Sequence, residues 1–124
     1  FFAVANSSNL CPTGWHVPSD AEWTTLINNL GGASVAGAKM KSPNLWISGS
    51  SGTDNSSGFT ALPGGYRLGG SGEFEYIGKK GEWLSSTMNS VGGAWGYWLH
   101  YDYSELDRLD GGRYSAFSIR CVKD

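Results

Sequence analysis

The residues best suited to chemistry lie near the C-terminus of the chain, between Trp98 and Tyr114. The carboxylates and arginines of this segment are Asp102, Glu105, Asp107, Arg108, Asp110 and Arg113. Two carboxylates held about 5–10 Å apart in a cleft can hydrolyse glycosides, and several oxygen donors together can hold calcium. Their spacing does not match an EF-hand loop, however, and the arginines offer simple ion pairs. We predict a solvated strand–loop edge first, a ligand contact second and catalysis last.

Neither histidine is placed like a catalytic or metal-binding residue. His16 follows Trp15 just before a predicted helix, which is typical of a packed, hydrogen-bonded structural residue. His100 lies among aromatic residues, where a surface contact is favoured over a general base. The sequence has no G-x-S-x-G elbow, no H-x-x-x-H pair, no Cys/His quartet and no phosphate loop. We therefore predict a protein that is not an enzyme and carries no metal or cofactor.

The composition argues against two classes of partner. Charged residues make up 16% of the chain and the net charge is −2, so no basic surface favours nucleic acid. No apolar run reaches the ~18 residues of a membrane-spanning helix, which predicts no direct membrane insertion. The 124 residues predict one domain, residues 1–124. The 19 glycines, together with many small polar residues, are typical of a loop-rich extracellular fold.

The two cysteines, Cys11 and Cys121, lie near opposite ends of the chain. Alone they cannot supply a tetrahedral zinc site. They are compatible with a disulfide or with two buried thiols. A disulfide would close a loop of about 110 residues and would stabilise the fold by about 4–5 kcal/mol in the loop-entropy model.

A capping box marks the start of the first predicted helix, since Ser19 and Glu22 have the S-x-x-E spacing. The apolar residues that follow at i, i+3, i+4 and i+7 are Trp23, Leu26, Ile27 and Leu30. This pattern predicts a helix over residues 20–30. A second helix is predicted over residues 34–41. Its inward face would be formed by Val35, Ala38 and Met40.

Alternating residues predict strands in the last third of the chain. Between residues 95 and 101, one parity is predicted to face the core and contains Trp95, Tyr97 and Leu99. The other parity, with Trp98 and His100, is predicted to face outward.

Further strands are predicted in the middle and at the start of the chain. Residues 73–77 and 82–87 predict a hairpin about the turn at 78–81. The opening residues FFAVA predict a strand cut from a longer or processed chain, followed by a polar turn up to residue 10. Helices followed by many short strands predict an α+β fold.

Four separated segments resemble the Fibrobacter succinogenes major paralogous domain, a bacterial secreted-protein module related in fold to C-type lectin-like domains. They read CPTGWHVPSDAEWTTL, SGFTALPGGYR, GEWLSST and AFSIRCVKD, and they span almost the whole chain. The resemblance implies a C-type-lectin-like fold with two helices on a small twisted antiparallel sheet and with long irregular loops. It also implies that the terminal segments pair, which favours a disulfide between Cys11 and Cys121.

The same resemblance implies an exposed ligand-binding surface in the chain before the final strand. The residues carried onto that surface are Trp98, His100, Asp102, Tyr103, Glu105, Asp107, Arg108 and Tyr114. The Glu-Pro-Asn, Gln-Pro-Asp and Trp-Asn-Asp motifs of calcium-dependent sugar-binding lectins do not occur in the chain, which argues against that mode of sugar binding. The cysteine pair of formylglycine-generating enzymes has no match either.

Together these patterns predict a non-catalytic, adhesion-type recognition module of a larger bacterial protein, secreted or displayed on the cell surface. Its ligand would be a protein or a glycan, because Tyr and Trp give wide contact area at a small entropic cost and Arg adds directional hydrogen bonds. The alternatives are a structural domain of a stalk or filament and, less favoured, a hydrolase that uses Asp107 and Asp110.

Overall fold

The computed structural model describes residues 2–5 and 10–124, with only the backbone of Phe2 and Ala5. The helices are α1 Phe2–Ala5, α2 Asp20–Asn29 and α3 Ala33–Met40. The strands are β1 Trp15–His16, β2 Tyr66–Arg67, β3 Phe74–Glu75, β4 Lys80–Met88, β5 Ala94–His100, β6 Leu106–Gly111 and β7 Val122–Lys123. Helices and small antiparallel sheets make this an α+β fold, as predicted. No described helix is long and apolar enough to cross a membrane.

Helix α2 begins at the predicted capping box. The backbone N–H of Glu22 donates to the Ser19 hydroxyl at 3.3 Å, and the Ser19 N–H donates back to the Glu22 carboxylate at 2.8 Å. These two bonds satisfy backbone donors that a helix start otherwise leaves free. The helix ends as Gly31 adopts a φ of 101°, which favours glycine. Its apolar stripe packs Trp23 into the core.

Helix α3 is confirmed within one residue, but its inward face differs from the prediction. Val35 is 40% exposed, whereas Ala36, Gly37 and Met40 are buried. The reason is a close approach of the helix to the β5–β6 connection. A Cβ on Gly37 would lie 2.6 Å from the carbonyl oxygen of Glu105, so the face that carries glycine is the one that packs.

The central sheet has three antiparallel strands in the order β4–β5–β6. Its inner face, α2 and α3 enclose the core, which contains Trp23, Ala36, Met40, Ala61, Trp83, Tyr97, Leu99 and Leu106. Tyr97 and Leu99 therefore face inward, as the alternation predicts. Trp95 shares their parity but is only half-buried.

One predicted strand pairing and one predicted strand are wrong. Residues 74–75 pair with β2 instead of forming a hairpin with β4, whose partner is β5. Tyr76 adopts a left-handed φ of 59°, which ends β3 and turns the chain away from a simple reversal. At the N-terminus, residues 2–5 form one helical turn instead of a strand. The polar turn predicted at residues 6–9 lies outside the described residues.

The terminal parts of the domain are joined three times. Strand β1 pairs with β7, and a disulfide links Cys11 to Cys121, which confirms the predicted bridge. His16 adds an ionic link, because its Nδ1 lies 2.6 Å from Asp124 and its Nε2 lies 2.8 Å from Glu22. The imidazole thereby ties the last residues of the chain to the capping box of α2.

The His16 link makes stability depend on pH. Hydrogen bonds to Asp124 and then to Glu22 raise the pKa of His16 above its ordinary value of 6.5. A raised pKa contributes stability that is complete below about 6.5 and is lost as pH rises through the value in the fold. Relative to His16→Gln, the native chain should be more stable at about pH 6, and this advantage should shrink by about pH 8.

Urea denaturation at the two pH values measures this difference. Asp124→Asn removes the largest cause of the raised pKa of His16. The stability of this variant should therefore depend less on pH than that of the native chain. A stability difference between the native chain and His16→Gln that is the same at both pH values would contradict the assignment.

Candidate ligand-binding face

The outer face of the central sheet carries the side chains that alternate with the core residues. Because Tyr97 and Leu99 face inward, Trp98 and His100 lie on the opposite face, as predicted. In the observed register, Trp98 pairs with Glu82 on one side and with Asp107 on the other. His100 pairs with Lys80. Three strands thus bring aromatic, basic and acidic groups onto one surface.

These side chains form a row of successive ring and cation–π contacts, which we call the aromatic row: Tyr76, Lys80, Trp98, His100 and Tyr103. The Lys80 ammonium lies 3.7 Å from the centre of the Trp98 ring and 4.2 Å from that of Tyr76, so it joins the two rings through cation–π contacts. The rings of Trp98 and His100 are 6.4 Å apart. His100 and Tyr103 stack at 5.3 Å with their planes 15° apart.

Further apolar groups extend the aromatic row at its Tyr76 end. Tyr66 stacks on Tyr76 at 5.7 Å, and Phe117 lies 5.9 Å from Tyr66. Next to Tyr76 in the chain, Phe74 and Ile77 are 68% and 66% exposed. The surface is therefore larger than the C-terminal segment from which it was predicted.

Two carboxylates lie beside the aromatic row and hold its rings. Asp102 is hydrogen-bonded to Nδ1 of His100, and this bond is the main cause that lowers the pKa of Asp102. The Tyr103 hydroxyl donates to Asp107 at 2.9 Å. Burial and then this bond raise the pKa of Tyr103. Asp102 and Asp107 thus orient the two rings, and the sequence analysis predicts both carboxylates on the same ligand-binding surface.

A third carboxylate, Glu82, lies next to Trp98 and is only 8% exposed. Burial raises its pKa, and the charge of Lys80 opposes the change. Beside it is a notch of about 60 Å³ whose walls include Trp98, Leu109 and Phe117. Gly96 lines the notch and has no side chain to fill it. Within the part of the chain that the structure describes, the buried indole N–H of Trp98 has no acceptor.

Three of the predicted surface residues lie elsewhere or only at the margin. Arg108 pairs with Tyr97, so it lies on the inner side of the sheet, where it donates to Asp20 at 2.7 and 2.9 Å and covers the Trp95 ring at 3.4 Å. Its position is that of a structural clamp. Tyr114 is 77% exposed, and its backbone packs against Gly69.

Glu105 is the marginal case. It is exposed on the connection that packs against α3, and its charge is the least of the causes that raise the pKa of Tyr103. The structure therefore brings together Trp98, His100, Asp102, Tyr103 and Asp107, with Glu105 at the edge.

Sequence reasoning missed Tyr76 and Lys80. The sequence pattern predicts a turn at Lys80, whereas Lys80 is the first residue of β4. The available signal was the alternation of Lys80, Glu82 and Leu84 with Gly81, Trp83 and Ser85. This alternation shows which residues share a face, but not that Lys80 lies opposite His100, because strand register is a long-range property.

The side chain of Lys41 holds the loop that carries Asp102 and Tyr103. This side chain is completely buried, and its ammonium donates to the carbonyl oxygens of Tyr103 at 2.5 Å and Ser51 at 2.9 Å, with Tyr101 at 3.5 Å. Burial lowers the pKa of Lys41 to about 8, and the charge of Asp102 works in the opposite direction. The ammonium thus fixes the backbone on which one end of the aromatic row is built.

The two carboxylates of the suggested hydrolytic pair, Asp107 and Asp110, lie apart on the central sheet. Among residues 2–5 and 10–124, no group of three His, Cys, Asp or Glu side chains could hold a metal ion. Asp107, one member of the suggested hydrolytic pair, accepts the Tyr103 hydroxyl, whereas Asp110 pairs with Trp95 on the other side of the sheet. Because neighbouring residues along a strand alternate in direction, these two carboxylates do not share one face.

The structure is thus an α+β domain whose terminal segments are joined and whose central sheet carries aromatic residues on its outer face. The chain belongs to the Fibrobacter succinogenes major domain family, whose model matches residues 1–123. No curated protein and no solved structure matches it.

Lys41→Met should lower the stability of the fold and increase the mobility of the loop at residues 101–103. Methionine keeps most of the volume but leaves the carbonyls of Ser51 and Tyr103 without their donor, so the free energy of unfolding should fall by about 2–4 kcal/mol. Chemical denaturation measures the loss. Amide hydrogen exchange at residues 101–103 should also become faster.

Lys79→Met is the matched control, because Lys79 is exposed just before β4. It should change stability by less than about 0.5 kcal/mol. Equal stability of the two variants would show that the buried ammonium does not support the loop.

Proposed function

We propose that this domain is a non-catalytic recognition module, with a C-type-lectin-like arrangement, of a secreted or surface-displayed bacterial protein. It binds its ligand through the aromatic row. The single observation that carries the proposal is the unbroken succession of partly exposed rings and one ammonium across the outer sheet face.

The geometry of the aromatic row supports contact with a flat ligand. Rings fixed by neighbouring side chains lose little entropy on binding, and desolvated aromatic pairs contribute about 0.5–1.5 kcal/mol beyond area burial. Asp102 and Asp107 each use one oxygen on a ring of the row, and the second oxygen can accept from a ligand hydroxyl or amide. Sugars and polypeptides both offer such donors, so the ligand is a glycan or a protein.

The disulfide supports placement of the domain outside the cytoplasm. Bridges such as Cys11–Cys121 form and persist in oxidising compartments, among them the bacterial periplasm and the cell surface. This location is also where an adhesion-type module meets its ligands.

A second candidate function is assembly, in which the domain docks onto a neighbour in a stalk or filament. It is favoured by the exposure of Phe74 and Ile77 beside Tyr76, since exposed apolar groups that lie together mark interaction sites. Light scattering by the isolated domain distinguishes assembly from ligand recognition. Stable self-association of the isolated domain favours assembly, and a monomer favours recognition.

Binding should depend on the aromatic row and not on every exposed ring. A glycan array and a pulldown from bacterial surface proteins would first identify ligands of the folded domain. Trp98→Ala and Tyr103→Ala should each weaken binding by about tenfold, which corresponds to the loss of one ring contact. Tyr103→Phe keeps the ring and should weaken binding less.

Tyr114→Ala is the matched control, because this tyrosine is exposed but lies outside the aromatic row. It should bind like the native domain. A loss equal to that of Trp98→Ala, with both variants folded by near-ultraviolet circular dichroism, would argue against the row. A folded native domain that captures no ligand in either screen would argue against recognition itself.

A further inference from the structure

A second concavity lies away from the aromatic row, between α2, β7 and Phe59. We call it the terminal groove. Its volume is about 360 Å³, which lies within the range of small-molecule sites, about 300–1,000 Å³. The residues that line it are Trp15, Pro18, Glu22, Trp23, Leu26, Phe59, Arg120, Cys121, Val122 and Lys123. None of them belongs to the aromatic row.

The walls of the terminal groove are mainly apolar and include an exposed tryptophan. Trp15 is 42% exposed on β1, and the Phe59 ring also lines the groove. The buried Trp23 lines it as well, with its ring 5.8 Å from that of Phe59. The disulfide through Cys121 and the pairing of β1 with β7 hold one wall in place. The groove is therefore supported by rigid parts of the fold.

Two carboxylates near the groove, Glu22 and Asp124, contact the same imidazole, that of His16. Among the described residues, Arg120 and Lys123 are exposed cations that form no ion pair with a carboxylate. The Arg120 guanidinium lies over the Phe59 ring, 4.7 Å from its centre. A positive group thus lies directly beside an aromatic wall.

We propose that the terminal groove binds a small aromatic carboxylic acid. Its ring would pack against Trp15, and its carboxylate would meet Arg120, whose guanidinium lies over Phe59. A planar guanidinium matches a carboxylate through two parallel hydrogen bonds, and aromatic walls favour a flat apolar body. Lys123 adds attraction without a fixed geometry. This site is independent of ligand recognition by the aromatic row.

Three probes of similar size and different charge test the proposal: phenylacetate, 2-phenylethanol and phenethylamine. Each is titrated into the folded domain while the indole N–H signals of Trp15 and Trp23 are followed by nuclear magnetic resonance. Phenylacetate should shift both signals saturably, with a Kd on the order of 1 mM, as expected for so small a ligand. The neutral alcohol should bind about tenfold more weakly, and the amine more weakly still.

Two variants assign the contacts. Arg120→Gln should remove the preference for phenylacetate over 2-phenylethanol, and near-ultraviolet circular dichroism checks that the fold is kept, because Arg120 also covers Phe59. Trp15→Ala should weaken both probes. Lys79→Gln, which removes a cation outside the groove, should bind like the native domain.

Equal binding of the three probes would overturn the proposal, as would phenylacetate shifts confined to Trp98. If the Trp15 and Trp23 signals instead move with protein concentration in the absence of a probe, a second copy of the domain occupies the groove and the proposal is also wrong. Saturable, charge-selective shifts that depend on Arg120 support it.

Discussion

The interaction on which the candidate site depends is the buried ammonium of Lys41. Taking an ammonium out of water costs several kcal/mol, unless polar groups replace its hydration. Here the carbonyls of Ser51 and Tyr103 do so, with Tyr101 further away. Because these acceptors come from segments far apart in the chain, one charge draws together the end of α3, a glycine-rich loop and the loop after β5. The loop geometry follows from satisfying that charge.

Alternation along the central sheet then separates the side chains that hold the fold together from those of the aromatic row. On its inner side, Tyr97 and Arg108 converge on Asp20 at the start of α2, which fastens the sheet to the helix. On its outer side, Trp98 and Asp107 are presented with Lys80 and His100. A shift of register by one residue would exchange the two sets. The polar clamp to α2 therefore also protects the orientation of the outer face.

Much of the fold and of the outer sheet face could be predicted from local sequence patterns. The capping box located α2, and alternation assigned Tyr97 and Leu99 to the core and Trp98 to the outer face. Arg108 could not be assigned, because its direction depends on which residue of β5 it opposes. Val35 was misplaced since glycine, which carries no hydrophobic signal, forms the contact side of α3. Local patterns revealed periodicity, and the remaining features depended on long-range pairing.

The disulfide has a mechanical consequence. Cys11 and Cys121 are 110 residues apart, so the covalent bond between them encloses nearly the whole domain. A pulling force applied through the segments outside the two cysteines would pass along the sulfur–sulfur bond. The central sheet and the loop held by Lys41 would carry almost none of that load. The outer face would keep its shape under tension, and reduction of one bond would expose the entire fold to the force.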